Sequence, residues 1–224
     1  MQKPSGGIVA AIIFDLDGTL LDSAPDIHAA LNAALAPYER SVSLEQARGF
    51  IGRGAPVLVS RARAALDLDD SLQDPILADF LDRYETAVAL TQPYPGALAA
   101  LDTVAARGHT MAICTNKPIG PARFVAAHFG LDTRMGAMFG GDSLATRKPD
   151  PEMLHATMAA LEAETCLYVG DSETDCETAR AADVPFVLFT EGYRHSPPEA
   201  LPHAAAFSDW SQFPDLAERV LMSG

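Results

Sequence analysis

The most constraining feature of the sequence is a short apolar run that ends directly in two carboxylates. Residues 8–14 (IVAAIIF) are continuously apolar and rich in branched side chains, which is typical of a strand buried on both faces of a parallel sheet. Residues 15–19 (DLDGT) follow at once. Because strand side chains alternate, we expect Asp15 and Asp17 to point to the same side. Their charges would repel each other unless a cation lay between them.

Three further short apolar runs follow the first, and helical patterns lie between them. The runs cover residues 110–114, 165–169 and 185–189, and the helical patterns cover residues 97–107, 118–129, 151–161 and 174–182. This alternation predicts an α/β protein with a doubly wound, Rossmann-like parallel sheet. Ligands of such sheets bind beyond the carboxyl ends of the strands, so we expect the functional site there.

The stretch between the first two of these strands contains helical patterns and no convincing strand. Ser43 and Gln46 form a plausible capping box, and helices are predicted over residues 24–35, 55–66 and 72–90. We therefore predict two domains: an α/β core of residues 1–22 and 91–224, and an inserted all-helical cap of residues 23–90. A cap inserted at this point would lie over the strand ends and determine substrate specificity.

Composition and charge limit the partners and the compartment. The 224 residues include 16 Lys and Arg against 30 Asp and Glu, a net charge of −14, so nucleic acid and anionic membranes are poor partners. The three cysteines form no C-x-x-C pair, and their odd number argues against a disulfide framework and for a reducing cytosol. With no apolar run of about 18 residues and no recognisable targeting signal, a cytoplasmic protein without a membrane span is expected.

Three later segments carry polar residues next to predicted strands and helices. Residues 115–118 (TNKP) and 170–175 (GDSETD) each follow an apolar strand, and residues 147–151 (RKPDP) precede a helix. Taken singly, helix capping explains the first two segments, at Thr174 in the second of them, and a surface turn explains the third. The geometry of a parallel sheet, however, brings the strand ends into one crevice.

Taken together, these groups match the needs of phosphoryl transfer. Carboxylate oxygens suit magnesium, a hard cation, and would come from Asp15, Asp17, Asp171 and Asp175. Donors for an anion would come from Thr115, Asn116 and Lys148. A metal, an anion site and a carboxylate placed as nucleophile predict an enzyme that acts on a small anionic phosphate ester.

The four motifs, in this order, resemble those of the haloacid dehalogenase-like superfamily of phosphohydrolases, in the subgroup with a helical cap after the first motif. The resemblance covers nearly the whole chain. Within the superfamily, five stretches are similar to the phosphoglycolate phosphatases: FDLDGTLLDSAPDI, FIGRGAPVLV, CTNKP, GGDSLATRKPDPEML and VGDSETDCETARAA.

The resemblance implies a role for each residue of the first motif. Asp15 would be the nucleophile and a ligand of Mg²⁺. Asp17 would be the general acid and base, and its backbone carbonyl would also bind the metal. The implied reaction is the magnesium-dependent hydrolysis of 2-phosphoglycolate to glycolate and phosphate through an aspartyl phosphate.

The other motifs supply the remaining implied roles. Thr115 and Asn116 would hold the phosphoryl oxygens, and Lys148 would neutralise the nucleophile and the phosphate. Asp171 would bind Mg²⁺ directly, and Asp175 would support the metal site from behind its ligands.

The sequence departs from the family pattern in the cap loop. Residues 52–54 read Gly-Arg-Gly, where relatives often have Asn in the middle, and this puts the substrate in doubt. The guanidinium of Arg53 could bind the carboxylate of phosphoglycolate through two hydrogen bonds, or it could face solvent in a tight turn. Both interpretations stay open.

Other functions fit the same motifs. A sugar-phosphate mutase, or a phosphatase of other small esters, would use the same scaffold. A phospho-accepting signalling domain belongs to a different class of protein, and the large cap argues against it because such a domain needs an open acceptor.

Overall fold

The protein alternates strands and helices through most of its length. The computed structural model describes residues 10–223, so the first two residues of the predicted 8–14 strand lie outside the described residues. The strands are β1 Ala11–Phe14, β2 Leu21–Asp22, β3 Gln92–Pro93, β4 Thr110–Cys114, β5 Ala137–Phe139, β6 Cys166–Gly170, β7 Phe186–Phe189 and β8 Ala205–Phe207. The helices are α1 Ala24–Leu35, α2 Leu44–Phe50, α3 Ala55–Ala65, α4 Gln73–Tyr84, α5 Ala97–Ala106, α6 Ile119–His128, α7 Glu152–Ala160, α8 Glu173–Ala181 and α9 Phe213–Ser223.

A six-stranded parallel sheet forms the centre of the core. Its strand order is β5-β4-β1-β6-β7-β8, which confirms the predicted doubly wound α/β fold. Phe14 at the end of β1 pairs with Ile113 of β4 on one side and with Val169 of β6 on the other. The segments that follow these three strands therefore leave the sheet side by side, at its carboxyl edge.

The apolar run of β1 is continuous because both faces of the strand are covered. Ile12 and Phe14 pack into a hydrophobic cluster with α5, α6 and α9, while Ile13 packs into a second cluster with α7 and α8. All three side chains are fully buried. Burial on two faces explains why this strand shows no alternation of apolar and polar residues.

The four helices α1 to α4 enclose a hydrophobic cluster of their own. Fully buried members include Leu31, Val59 and Ile76. The predicted capping box of α2 is confirmed, because Ser43 Oγ accepts from Gln46 N and Gln46 Oε1 accepts from Ser43 N. A separate apolar centre supports the predicted cap of residues 23–90, and the exact domain boundaries stay a prediction.

The two chain segments that connect core and cap are tied to each other. Strands β2 and β3 pair antiparallel, with Leu21 opposite Pro93. The buried carboxylate of Asp26 accepts hydrogen bonds from Leu90 N at 3.0 Å, Thr91 N at 2.7 Å and Thr91 Oγ1 at 2.6 Å. The cap thus joins the core through two chain segments that are hydrogen-bonded to each other.

Several element boundaries differ from the sequence prediction. The last cap helix was expected over residues 72–90, but it ends at Tyr84, and the loop that follows leads into the connection held by Asp26. Edge strands β5 and β8 were not predicted, because they are only three residues long and incompletely buried. The C-terminal helix α9 was not predicted either. In the described part of the chain, no helix has the length and apolar character needed to cross a membrane.

Candidate active site

Asp15 lies at the centre of the carboxyl edge, immediately after β1. Its side chain is 11% exposed, and Lys148 Nζ lies 2.9 Å from its Oδ1. Oδ1 is buried, and the ion pair with Lys148 is its contact with a charged group among the described residues. Burial raises the pKa of Asp15 to about 6, helped by the charges of Asp175 and Asp17 and opposed by Lys148.

Lys148 is fully enclosed and joins two of the carboxylates. Its ammonium group donates to Asp175 Oδ1 at 2.7 Å and to the hydroxyl of Tyr168 at 2.8 Å, besides its contact with Asp15. Burial alone would lower the pKa of Lys148, but Asp15 and Asp175 outweigh it and raise that pKa. A surface turn is therefore the wrong explanation for Lys148, which is 2% exposed, although its neighbour Arg147 is exposed.

Asp171 follows β6 and faces Asp15 across the edge. Its Oδ1 accepts from Thr19 Oγ1 at 2.9 Å, and its Oδ2 accepts from Tyr193 N at 2.6 Å. Burial, followed by the charges of Asp175 and Asp15, raises the pKa of Asp171 well above its usual range. Gly18 makes room for this carboxylate: its φ is +88°, and a Cβ there would lie 2.5 Å from Asp171 Oδ2.

Asp175 has no free acceptor position. Its Oδ2 accepts from Asp171 N at 3.2 Å, Ser172 N at 3.1 Å and Ser172 Oγ at 2.7 Å, while its Oδ1 contacts Lys148 and, at 2.9 Å, the hydroxyl of Tyr168. The N-cap of α8 is Ser172, in a capping box with Asp175, and not Thr174 as the sequence suggested. Asp175 is thus placed to support its neighbours.

The acidic groups at this edge fit a metal ion. Oxygens of Asp15, Asp171 and Asp175 lie within 4.8 Å of one another, and all three residues are buried. Lys148 is the cation paired with this group, so three carboxylate charges face one ammonium charge. The excess of carboxylate over ammonium charge and the raised pKa values of Asp15 and Asp171 fit a site for an oxygen-seeking divalent cation.

Thr115 and Asn116 follow β4 and reach the same edge. Both are buried. Asn116 Nδ2 donates to the carbonyls of Gly52 at 3.0 Å and Lys148 at 2.9 Å, so its amide joins the cap loop to the Lys148 loop. Its Oδ1 is buried without a partner among the described residues. The predicted phosphate contact of Asn116 stays a prediction, and the side chain has this linking role in addition.

Asp17 lies beside a lysine to which the sequence analysis gave no role. Lys117 Nζ lies 3.3 Å and 3.5 Å from the two carboxylate oxygens of Asp17, and its side chain is only 2% exposed. The same ammonium donates to the hydroxyl of Tyr84, which comes from the cap. Burial raises the pKa of Tyr84 well above its usual value, so the hydroxyl keeps its proton.

A signal for Lys117 was present in the sequence, since it directly follows Thr115 and Asn116 after an apolar strand. No pattern pointed to Tyr84, which reaches the site from the end of cap helix α4.

The chamber between cap and core has two lobes that share Asp15 and Asp17. The inner lobe lies against Lys117 and the cap, and it is further lined by Ile27, Leu58, Phe80, Tyr84 and Thr115. The outer lobe lies on the Asp171 side, and it is further lined by Arg53, Arg61, Ser172, Glu173 and His195. Residues 51 and 52 of the cap loop border both lobes.

Arg53 is in the outer lobe and spans the gap between cap and core. Its guanidinium pairs with Glu177 of α8 at 3.4 Å, and the two side chains are 45% and 42% exposed. The side chain borders the chamber and also reaches solvent, so carboxylate binding by Arg53 stays a prediction.

The thiols take no part in this site. Cys114, Cys166 and Cys176 are all buried and unpaired. Burial raises the pKa of Cys114 to about 12, so this thiol next to Thr115 stays protonated at neutral pH.

Comparison with known proteins decides between the possible families. The family model described as haloacid dehalogenase-like hydrolase matches residues 9–183, which is more than half of the chain. The chain belongs to the haloacid dehalogenase-like hydrolase family. The resemblance seen in the motifs is thereby confirmed, and so is the hydrolase class of the enzyme.

Relatives within this family cover almost the whole chain. A phosphoglycolate phosphatase of Cereibacter sphaeroides is 50% identical over 214 residues, which is 94% of this chain and 98% of that protein. A phosphoglycolate phosphatase of Rhodospirillum rubrum is 44% identical over 215 residues, 92% of this chain and 89% of that protein. The crystal structure of a predicted phosphoglycolate phosphatase from Haemophilus somnus superposes with a TM-score of 0.87 at 28% identity, over 93% of this chain and 98% of that chain.

Proposed function

We propose that this haloacid dehalogenase-like hydrolase is a magnesium-dependent phosphatase of a small phosphate monoester, 2-phosphoglycolate, which it cleaves to glycolate and phosphate. One observation carries the proposal. The buried carboxylate of Asp15 lies 2.9 Å from Lys148 and lines a chamber that residues of the cap also line. The names of the relatives support the choice of substrate.

The first step is an attack of Asp15 on phosphorus. An oxygen of Asp15 forms a bond to phosphorus, the ester P–O bond breaks, and Asp17 gives a proton to the leaving alkoxide. A carboxylate and one phosphate charge about 4 Å apart repel by roughly 4 kcal/mol at an effective dielectric of about 20. Lys148 lies 2.9 Å from Asp15 and lowers this repulsion.

The second step frees the enzyme. Asp17 takes a proton from a water molecule, the water oxygen attacks phosphorus, and the bond to Asp15 breaks with release of inorganic phosphate. Thr115 and Asn116 follow β4 next to Asp15 and would hold phosphoryl oxygens in both steps. The cap limits entry of bulk water, which would otherwise weaken the electrostatic interactions inside the chamber.

Mg²⁺ is the cation that this donor set suits best. Asp15, Asp171 and the backbone carbonyl of Asp17 would hold it, and its charge would offset the approach of two anions. Asp175, whose acceptor positions are filled, would act by fixing Asp171 N and Lys148.

Release of inorganic phosphate from a panel of esters tests the proposal. We expect turnover of 2-phosphoglycolate in Mg²⁺, slower turnover of sugar phosphates and 4-nitrophenyl phosphate, and no turnover in a chelator. Equal rates in Mg²⁺ and chelator would refute the metal site. An isomerised sugar phosphate without phosphate release would identify a mutase.

A further inference from the structure

The carboxylate of Asp17 is held by three side chains, and two of them belong to the ends of the cap. Ser23 Oγ donates to Asp17 Oδ1 at 2.6 Å, and Ser23 is the residue immediately before α1. The hydroxyl of Tyr84 lies 3.5 Å from Asp17 Oδ2, and Tyr84 is the last residue of α4. The chain segment that forms the cap helices therefore starts and ends at this one carboxylate.

The third side chain, Lys117, connects the cap contact to the core. Its ammonium lies 3.3 Å from Asp17 Oδ1, donates to the hydroxyl of Tyr84 and stands 3.9 Å from the centre of the Tyr84 ring. A buried ammonium needs acceptors around it, and Tyr84 supplies both a hydroxyl oxygen and the electron-rich face of its ring. Tyr84 thus supplies two of the contacts that hold the Lys117 ammonium beside Asp17.

We infer that Tyr84 and Lys117 are positioning residues, which orient the carboxyl group of Asp17 for proton transfer when the cap covers the chamber. The inference rests on the proposed function of Asp17 as acid and base. Without Tyr84 in place, Lys117 loses its partner from the cap, and Asp17 keeps only Ser23 and a less constrained ammonium. Proton transfer depends on a hydrogen bond of correct length and direction, so a misplaced carboxyl group slows both steps that use it.

Tyr84→Phe is the most direct variant, because it removes only the hydroxyl. The ring can keep its stacking on Phe80, at 5.0 Å between centroids, and its position over Lys117. We expect kcat for 2-phosphoglycolate to fall about tenfold or more, since acid–base catalysis supplies about 10²–10⁴-fold in rate and misplacement loses part of it. KM should change less than twofold, because neither Tyr84 nor Lys117 is assigned to binding the phosphate.

A substrate with a better leaving group distinguishes a positioning role of Tyr84 from a general loss of structure. 4-Nitrophenolate leaves without a proton, so the first turnover of 4-nitrophenyl phosphate needs no acid, while release of phosphate still needs Asp17 as base. Tyr84→Phe should therefore keep the rate of the initial 4-nitrophenolate burst and lose steady-state rate. Asp17→Asn should also keep the burst, with a larger loss of steady-state rate. Lys117→Met should show the same combination of a retained burst and a reduced steady-state rate.

Tyr38→Phe is the matched control, since Tyr38 packs against the hydrophobic centre of the same cap. Its turnover rates on both substrates should lie within twofold of those of the wild-type protein. Two results overturn the inference: an unchanged kcat in Tyr84→Phe, or a burst rate that falls as much as the steady-state rate. A wild-type protein that releases phosphate from neither ester overturns the proposed function itself, and the inference with it.

Discussion

At the level of single residues, the candidate active site brings together buried carboxylates whose negative charge the surrounding protein does not fully neutralise. Asp171 accepts from Thr19 and from Tyr193 N, yet burial and the neighbouring carboxylates still raise its pKa. A carboxyl group whose pKa is higher in the folded than in the unfolded protein stabilises the fold at low pH, and that stability is lost as the pH rises through the folded pKa. Ionisation of Asp171 as the pH rises therefore costs stability in the metal-free protein.

Asp171→Asn should stabilise the protein in chelator and abolish its activity. The Asn oxygen can accept from Tyr193 N, and its amide can donate to the hydroxyl of Thr19, so the packing is retained. In thermal unfolding at pH 7.5 with chelator, we expect a higher melting temperature, by about 2–4 °C for each kcal/mol of relieved repulsion. The gain should shrink as the pH is lowered, because Asp171 then becomes neutral in the wild-type protein.

Added Mg²⁺ provides the control for this variant. Mg²⁺ should raise the melting temperature of the wild-type protein, because a ligand that binds the folded state stabilises it. The variant lacks the Asp171 ligand, so its melting temperature should rise little. A variant that melts below the wild-type protein in chelator would contradict the account of Asp171.

Sequence alone located the residues that follow strands and missed those that depend on the cap. Asp15 and Asp171 were predictable because a parallel sheet aligns its strand ends, whatever the loops do. Tyr84 was not predictable, because its position depends on where α4 ends and how the cap rests on the core. The link between Asn116 and Gly52 was missed for the same reason.

At the scale of elements, the two connections between core and cap are the segments most sensitive to change. Asp26 in the first turn of α1 is 5% exposed and accepts the backbone N–H groups of Leu90 and Thr91 and the Thr91 hydroxyl. Hydrogen bonds to a buried carboxylate contribute about 1.5–3 kcal/mol each in other proteins, and donors left unpaired carry a penalty.

Asp26→Ala should lower the free energy of unfolding by about 2–4 kcal/mol, because three donors lose their acceptor. Urea unfolding followed by circular dichroism measures this loss. Asp82→Ala, on the exposed side of α4, is the matched control and should change the free energy by less than about 0.5 kcal/mol. Equal losses in the two variants would show that Asp26 does not hold the connection.

The buried strands were predicted more closely than the edges of the sheet. The predicted run 110–114 coincides with β4, whose residues 111–114 are apolar and buried. β5 (AMF) and β8 (AAF) lie at the two edges, and apolar runs as short as three residues do not distinguish a strand from other structure. For α4, the apolar residues beyond Tyr84 suggested a longer helix, but they belong to the loop that leads to Asp26.

At the scale of the whole molecule, the chamber is complete only because two separately packed units meet. Arg53 on the cap and Glu177 on the core form an ion pair across the gap between them, with both side chains nearly half exposed. A pair this exposed contributes little to stability. Any larger role of Arg53 must therefore appear in catalysis.

Arg53→Ala should weaken catalysis on 2-phosphoglycolate by about 1.5–3 kcal/mol in kcat/KM, the contribution expected of charged hydrogen bonds to the substrate carboxylate. An aryl phosphate has no such carboxylate and should lose much less. Glu177→Ala removes the same ion pair but keeps the guanidinium of Arg53. Its kcat/KM for both substrates should equal that of the wild-type protein. Losses that are equal for both substrates, or equal in both variants, would leave Arg53 as a surface residue.

If the carboxylate of Asp15 attacks phosphorus, the Asp15→Asn variant should release almost no phosphate. Asn keeps the size and shape of the side chain but removes the nucleophilic charge, so the fold should persist with an unchanged circular dichroism spectrum. With saturating 2-phosphoglycolate and Mg²⁺, the account predicts that kcat falls by about 10³-fold or more relative to the wild-type protein. A folded Asp15→Asn variant that releases phosphate at a rate near that of the wild-type protein would contradict it.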